Sequence, residues 1–188
     1  MITRQAQNRE RREREENTDD MVDKTSNFNT LYREAVGSLM YLANATRPDI
    51  LYAVNILSRH QINPTTDDWK MVERVFQYPN GTKTLGLKYS ARKDDLETYS
   101  DTSFADCKNS LTTSGFIIQL FGDTVHWKTQ KQTYVALSTC EAEYIAMGNA
   151  CKELMPLNNS LKLILDMPLE PMKVWCDNKT AIASSKTN

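Results

Sequence analysis

From residue 96 onward the chain reads as strand, strand, strand, helix, strand, helix, and that order restricts the fold more than any other feature. Residues 96–100 (LETYS) form the first run, and residues 113–121 (TSGFIIQLF) a stronger one. Gly122-Asp123 then reads as a tight hairpin turn into residues 124–128 (TVHWK). Residues 139–154 follow a helical period with Thr139 as the cap, and Pro156 is expected to end or kink that helix. A short helix over Ser160–Leu165, a strand over Met172–Cys176 and a last helix capped by Asn178 complete the order. Hairpin strands followed by a helical crossover build a mixed sheet. A right-handed crossover lays the fourth strand parallel to the first. The expected fold class is α/β, a mixed sheet flanked by helices.

Ahead of this region the pattern is helical. Leu31, Ala35, Val36, Leu39, Met40 and Ala43 recur at i, i+3, i+4 spacing. Pro48 breaks that stripe and suits the first turn of a second helix, with Asp49 beside it and Ile50, Leu51, Val54 and Leu57 on its face. A third helix starts near Thr65-Thr66, carries Asp67 and Asp68 in its first turn, and shows Trp69, Val72, Val75 and Phe76 on its face. Pro79-Asn80-Gly81 reads as the turn that ends it, and residues 85–89 (LGLKY) as a strand. Residues 1–29 hold the charged run RERREREE and almost no apolar residues, so disorder is expected there. Three units follow: a charged N-terminus over 1–29, a helical segment over 30–90, and a sheet-bearing domain over 91–188.

Composition narrows the functional classes. No apolar run approaches the roughly 20 residues a bilayer span needs. A net charge of -1 gives no whole-chain attraction to nucleic acid, so any such binding must come from a local patch. Cys107, Cys140, Cys151 and Cys176 are widely spaced, without a CxxC pair, and read as reduced thiols and small core residues. With His60 and His126 isolated, a zinc site is not expected. The charged N-terminus does not resemble a secretory signal. The expected location is intracellular, cytoplasmic or nuclear, with no membrane partner.

Three acids stand in separate, well-formed contexts: Asp101 in ETYSD, Glu143 in STCEAEYIA and Asp177 in VWCDN. Asp101 and Asp177 each close a strand, on strands expected to be parallel, and so share one sheet edge. At roughly 100° per residue, Ala142, Ala146, Met147, Ala150 and Leu154 fall on one helical arc. Glu143 lies inside that arc and Glu141 outside it. A carboxylate on a buried stripe is costly unless a cation or donor compensates it. Convergent carboxylates suit hard divalent cations, and a pair of such cations can clamp a phosphodiester. Lys128, Gln130 and Lys131, with Trp127, Gln132 and Tyr134, make a small basic and aromatic patch that suits a nucleic-acid backbone. Asp106 reads as a loop acid, and His126 as a half-buried structural histidine.

YREAVGSLMYLANATRPDILYAVNILSR (32–59), YSDTSFADCKNSLTTSGFIIQLFGDTVHWKTQKQTYVALSTCEAEYIAM (99–147) and VWCDNKTAIA (174–183) resemble the C-terminal part of a copia-type retrotransposon Pol polyprotein. Residues 30–90 are similar to the helical tail of the reverse transcriptase, and residues 91–188 to the ribonuclease H domain. The resemblance implies an RNase H-like fold that hydrolyses the RNA strand of RNA–DNA hybrids with two Mg2+ ions, or Mn2+. It assigns Asp101, Glu143 and Asp177 as the catalytic metal ligands. Its partners are the hybrid and, in the intact element, the rest of Pol with the reverse transcriptase palm.

Three departures from the family pattern stand out. The sequence reaches Asn188 before the last strand and helix, which carries a fourth acid in the family. Pro79 and Asn80 replace a leucine and a basic residue, and Pro156 interrupts a continuous helix. Two readings follow from different classes. One is a truncated but active retroelement nuclease. The other is a catalytically inactive remnant that binds nucleic acid or protein.

Overall fold

A computed structural model describes residues 26–93, 95–107, 110–165 and 172–186. Helix α1 covers residues 26–45. A 3-10 turn (Pro48–Ile50) leads into α2 (Leu51–Ser58), and α3 (Thr66–Gly81) follows. Residues 26–29, grouped above with the charged N-terminus, belong to α1, while residues 1–25 lie outside the described residues.

The helical stripes meet as expected. Tyr32, Val36, Leu39 and Ala43 of α1 pack with Ile50, Leu51, Val54, Leu57 and Val72 in one buried cluster. The corner between α1 and α2 is polar but closed. The Arg47 guanidinium is buried, pairs with Asp49 at 2.8 Å, and lies 5.3 Å from the Tyr78 ring centroid. Arg47 holds the Asp49 carboxyl below its ordinary pKa, its hydrogen bond outweighing the cost of burial. Helix α3 opens on a capping box, in which Thr65 Oγ1 accepts the Asp68 amide at 3.2 Å and Asp68 Oδ2 accepts the Thr65 amide at 2.8 Å.

Pro79 does not end α3, which runs to Gly81. Closure comes one residue later, where Thr82 N donates to Tyr78 O at 3.0 Å and Arg47 Nη2 donates to Thr82 Oγ1 at 2.7 Å. Residues 85–89 form no strand. Leu85 and Tyr89 are exposed and have no ladder to join.

Four strands make one sheet, β1 (Leu96–Ser103), β2 (Thr113–Leu120), β3 (Asp123–Lys131) and β4 (Lys173–Trp175), in the order β3-β2-β1-β4. β1–β2 and β2–β3 are antiparallel, while β1–β4 is parallel, so the sheet is mixed and the fold α/β. The hairpin turn sits one residue earlier than the sequence suggests. Phe121 and Gly122 both take positive φ, 57° and 83°, which suits a two-residue turn between twisted strands. Asp123 instead opens β3, and its carboxylate accepts the amides of Ser90 and Ala91, which lowers its pKa.

Helix α4 (Thr139–Leu165) crosses from β3 to β4 and packs on one sheet face. Leu96, Phe116 and Ile118 meet Ala150 and Leu154 there. Ser138, not Thr139, is the cap residue, and its hydroxyl accepts the Glu141 amide at 3.1 Å. Pro156 neither ends α4 nor separates Ser160–Leu165 into a second helix. One proline removes a single amide donor, and the packing of Leu154, Leu157 and Leu161 on the sheet side carries the helix through. Helix α5 (Lys179–Ser185) closes the described chain.

The opposite sheet face receives the helical segment. Trp127 Nε1 donates to Ala43 O at 2.9 Å, Asn55 Nδ2 to Thr129 O at 3.2 Å, and Arg59 Nη2 to Thr113 Oγ1 at 2.7 Å. The sheet is thus covered on both sides.

Tyr32 gives a pH test of the helical cluster. It is fully buried and donates to Leu57 O at 2.9 Å. Burial, helped by the charge of Asp68, raises its pKa from 10.0 to about 12. The unfolded chain therefore ionises first, and this contribution to stability is intact below pH 10 and lost between pH 10 and about 12. The expected loss is on the order of 2–3 kcal/mol. Denaturant unfolding across that window should fall more steeply for the parent than for Tyr32→Phe, and equal slopes would contradict the burial argument.

Candidate active site

Strand alternation divides β1 between the two sheet faces. Thr98, Ser100 and Thr102 face α4, while Tyr99, Asp101 and Ser103 face the helical segment. Thr102 Oγ1 accordingly donates to Glu143 Oε1 on α4 at 2.7 Å. Asp101 is exposed, and its Oδ1 accepts the Thr102 amide at 2.8 Å. It does not close β1, which runs on to Ser103.

The helix phase places Glu143 where the sequence arc put it. Ala142, Ala146, Ala150 and Leu154 are buried against the sheet, and Glu143 is only 6% exposed among them. Its second oxygen accepts the Cys176 thiol at 3.7 Å. Burial raises the Glu143 pKa, and the charges of Asp101 and Asp177 push the same way, against the bonds from Thr102 and Cys176. Glu141 is exposed and serves the helix start, where its Oε2 accepts the Leu137 amide at 2.7 Å.

Asp177 follows the end of β4. Asn178 fixes its backbone by capping α5, with Oδ1 accepting the amides of Thr180 and Ala181 at 3.0 Å each. Parallel pairing sets Tyr99 opposite Trp175. Asp101 and Asp177 each follow two residues later. They share an open groove of about 310 Å³ with Tyr99 and Trp175.

Ligand atoms of Glu143, Cys176 and Asp177 all lie within 4.8 Å of one another. Asp101 is not in that tight group but lies close enough for its charge to act on Glu143. The structure therefore brings Glu143 and Asp177 together, with Asp101 at their margin. Such an oxygen-rich set, one carboxylate of which is buried, is the donor type that hard divalent cations take.

Two residues of this cluster were not singled out from sequence. Thr102 follows Asp101, so alternation points it at α4, and that was a usable signal. Cys176 reads as an ordinary small apolar residue, and nothing local marks it. Of the basic patch, Lys128 is engaged by Glu153 at 3.1 Å, while Gln130 and Lys131 line a separate groove. Asp106 is a structural acid. It accepts Thr113 Oγ1 at 2.6 Å and pairs with Arg59 at 3.5 Å, bonds that outweigh burial and lower its pKa. His126 packs half-buried beside Phe116.

A Pol polyprotein of the tobacco transposon TNT 1-94 is 37% identical over 158 residues, 84% of this chain but 12% of its own length. The Pol polyprotein of transposon RE2 from Arabidopsis thaliana is 38% identical over 151 residues, 79% of this chain and 10% of its own length. A protein named secreted RxLR effector protein 161 from Plasmopara viticola is 40% identical over 127 residues, 66% of this chain and 89% of its own length. No protein-family model matches the chain, and no solved structure does. The chain belongs to the copia-type retrotransposon Pol family, and it spans about a tenth of the length of the Pol polyproteins it matches. Among the described residues no helix is long and apolar enough to cross a membrane.

The two glutamates separate in a stability test. Glu143→Gln removes a buried charge repelled by its neighbours, so melting temperature should hold or rise. Glu141→Gln removes a favourable charge at a helix start and should cost about 0.3–1 kcal/mol. The reverse order in thermal unfolding at pH 7 would show that the helix phase is wrong.

Proposed function

We propose that the chain is a retroelement ribonuclease H domain with an RNase H-like fold, which hydrolyses the RNA strand of RNA–DNA hybrids. The observation that carries this reading is Glu143, buried yet held by Thr102 and Cys176 within reach of two further carboxylates. Nothing about packing requires a glutamate there, and a divalent cation would relieve the repulsion.

Asp101, Glu143 and Asp177 would hold two Mg2+ ions, or Mn2+ in their place. Bound ions of this kind activate a water and stabilise the leaving 3′ oxygen of a phosphodiester. The chain's own residues supply position. Thr102 and Cys176 fix the two oxygens of Glu143, and the Asn178 cap fixes the backbone beside Asp177. Residues 30–90 are read as the reverse transcriptase tail. In the intact element they would join the domain to the rest of Pol, including its palm.

A second reading keeps the fold without cleavage, as a module that binds nucleic acid or protein. It is favoured by the position of Asp101 outside the tight group and by the relative named as an effector, most of whose length this chain matches.

A labelled RNA–DNA hybrid separates the two. Cleavage should need Mg2+ or Mn2+, stop with chelator, and lose most of its rate in Glu143→Gln and Asp177→Asn. Thr102→Val should lower the rate about 10–100-fold, as expected for a group that orients a metal ligand. Binding without cleavage in either metal would establish the second reading, and full cleavage by Glu143→Gln would remove the first.

A further inference from the structure

A groove of about 510 Å³ lies between the C-terminal end of β3 and the outer face of α4. Lys131 and Tyr134 form one wall, and Tyr144, Asn149 and Lys152 the other. No carboxylate lines it, although the chain as a whole carries a net charge of -1. Neither Lys131 nor Lys152 has an acidic partner among the described residues, whereas Lys128 is held by Glu153. Tyr134 and Tyr144 are 75% and 43% exposed. Gly148 lies in the groove, and the space where its side chain would be is empty to 4 Å, so the α4 backbone is bare there.

The groove lies along the turns of α4 that begin beside Glu143. Gln132 at its end donates to Ala142 O at 3.0 Å, one residue before Glu143, and fixes the end of β3 against that turn of α4. Tyr144 directly follows Glu143. Lys152 lies nine residues along the helix, about 13.5 Å at 1.5 Å per residue. That is the axial rise of roughly four base steps in a duplex strand at 3.4 Å each. Unpaired cations, flat exposed rings and an amide side chain, with no acid among them, are the chemistry that holds a sugar-phosphate strand.

Resting on the ribonuclease reading, we propose that this groove binds one strand of the hybrid as it leaves the carboxylate site. Lys131 and Lys152 contact its phosphates, and Tyr134 and Tyr144 stack on its bases. Lys128, the more obvious basic residue in the sequence, takes no part.

The test is hybrid binding by the full chain, followed by fluorescence anisotropy with chelator present and across a salt series. The double variant Lys131→Gln/Lys152→Gln should bind at least about 10-fold more weakly, and its salt slope should fall by about 2, near 0.9 per lost phosphate contact. Tyr134→Ala and Tyr144→Ala should each weaken binding with the slope unchanged. Lys128→Gln should match the parent. All five positions are exposed, and unchanged melting curves will show that the variants fold. Parent-like affinity and slope in the groove variants would overturn the groove and leave the ribonuclease reading standing. A parent that neither binds nor cleaves the hybrid would overturn both.

Discussion

The close seating of α4 on β1 and β2 is the constraint on which the site depends. Three alanines, Ala142, Ala146 and Ala150, are buried at that contact, and their small size lets the helix approach the sheet. At this separation the Glu143 side chain reaches the Thr102 hydroxyl at 2.7 Å. Larger residues at those positions would lift the helix and leave Glu143 with neither its donors nor its neighbours. Leaving a buried carboxylate without donors costs several kcal/mol. The fold therefore specifies the helix height and the carboxylate position with the same three residues.

The other sheet face shows that the helical segment is more than an appendage. Tyr52 of α2 reaches Ser103 and Asp106, each at 3.4 Å, and with Asp101, Gly115 and Thr129 it lines a cleft of about 420 Å³. Arg59 extends the tie to Thr113, Cys107 and Asp106. Asp101 thus stands in a cleft with one wall from each half of the chain. Any ligand that reached Asp101 from this side would pass the phenol of Tyr52.

What could be read from the sequence was what depends on local rules. Periodicity gave the helical stripes, the Thr65 box and the Asn178 cap followed from residue type, and the helical arc separated Glu143 from Glu141. The β-hairpin and the parallel fourth strand followed from element order. Failures came where a distant contact overrides a local signal. Pro79 and Pro156 are strong local breakers, yet Arg47 secures the first helix end and sheet packing carries α4 past the second. The LGLKY run has strand composition but no neighbouring edge to pair with. The turn moved to Phe121-Gly122 because Arg92 and Asp95 grip it, with Phe121 O accepting the Arg92 amide and Phe121 N donating to Asp95 O, each at 2.9 Å. Lys128 looked available because Glu153 lies 25 positions away in sequence. Cys176 was invisible for the same reason, since its meaning exists only once α4 crosses the sheet, whereas strand alternation after Asp101 already pointed Thr102 at the helix.

The shortness of β4 resolves an apparent conflict in the site. Asp101 projects from one face of the sheet, and Glu143 approaches from the helix on the other. Within a continuous sheet the two could not serve one ligand. But β4 stops at Trp175, level with Tyr99, and β1 runs four residues further to Ser103. Beyond Trp175 no strand among the described residues flanks β1 on that side, and the chain turns at Cys176 and Asp177 toward the Asn178 cap. There the Cys176 thiol donates to Glu143 Oε2 at 3.7 Å, while Asp177 and Asp101 line one groove. Burial raises the Glu143 pKa, and the charges of Asp101 and Asp177 push it the same way. A sheet edge that ends early is therefore what brings Glu143, Cys176 and Asp177 within 4.8 Å of one another, with Asp101 outside that group but near enough for its charge to act on Glu143. A longer β4 would separate them, however well each acid was placed on its own element.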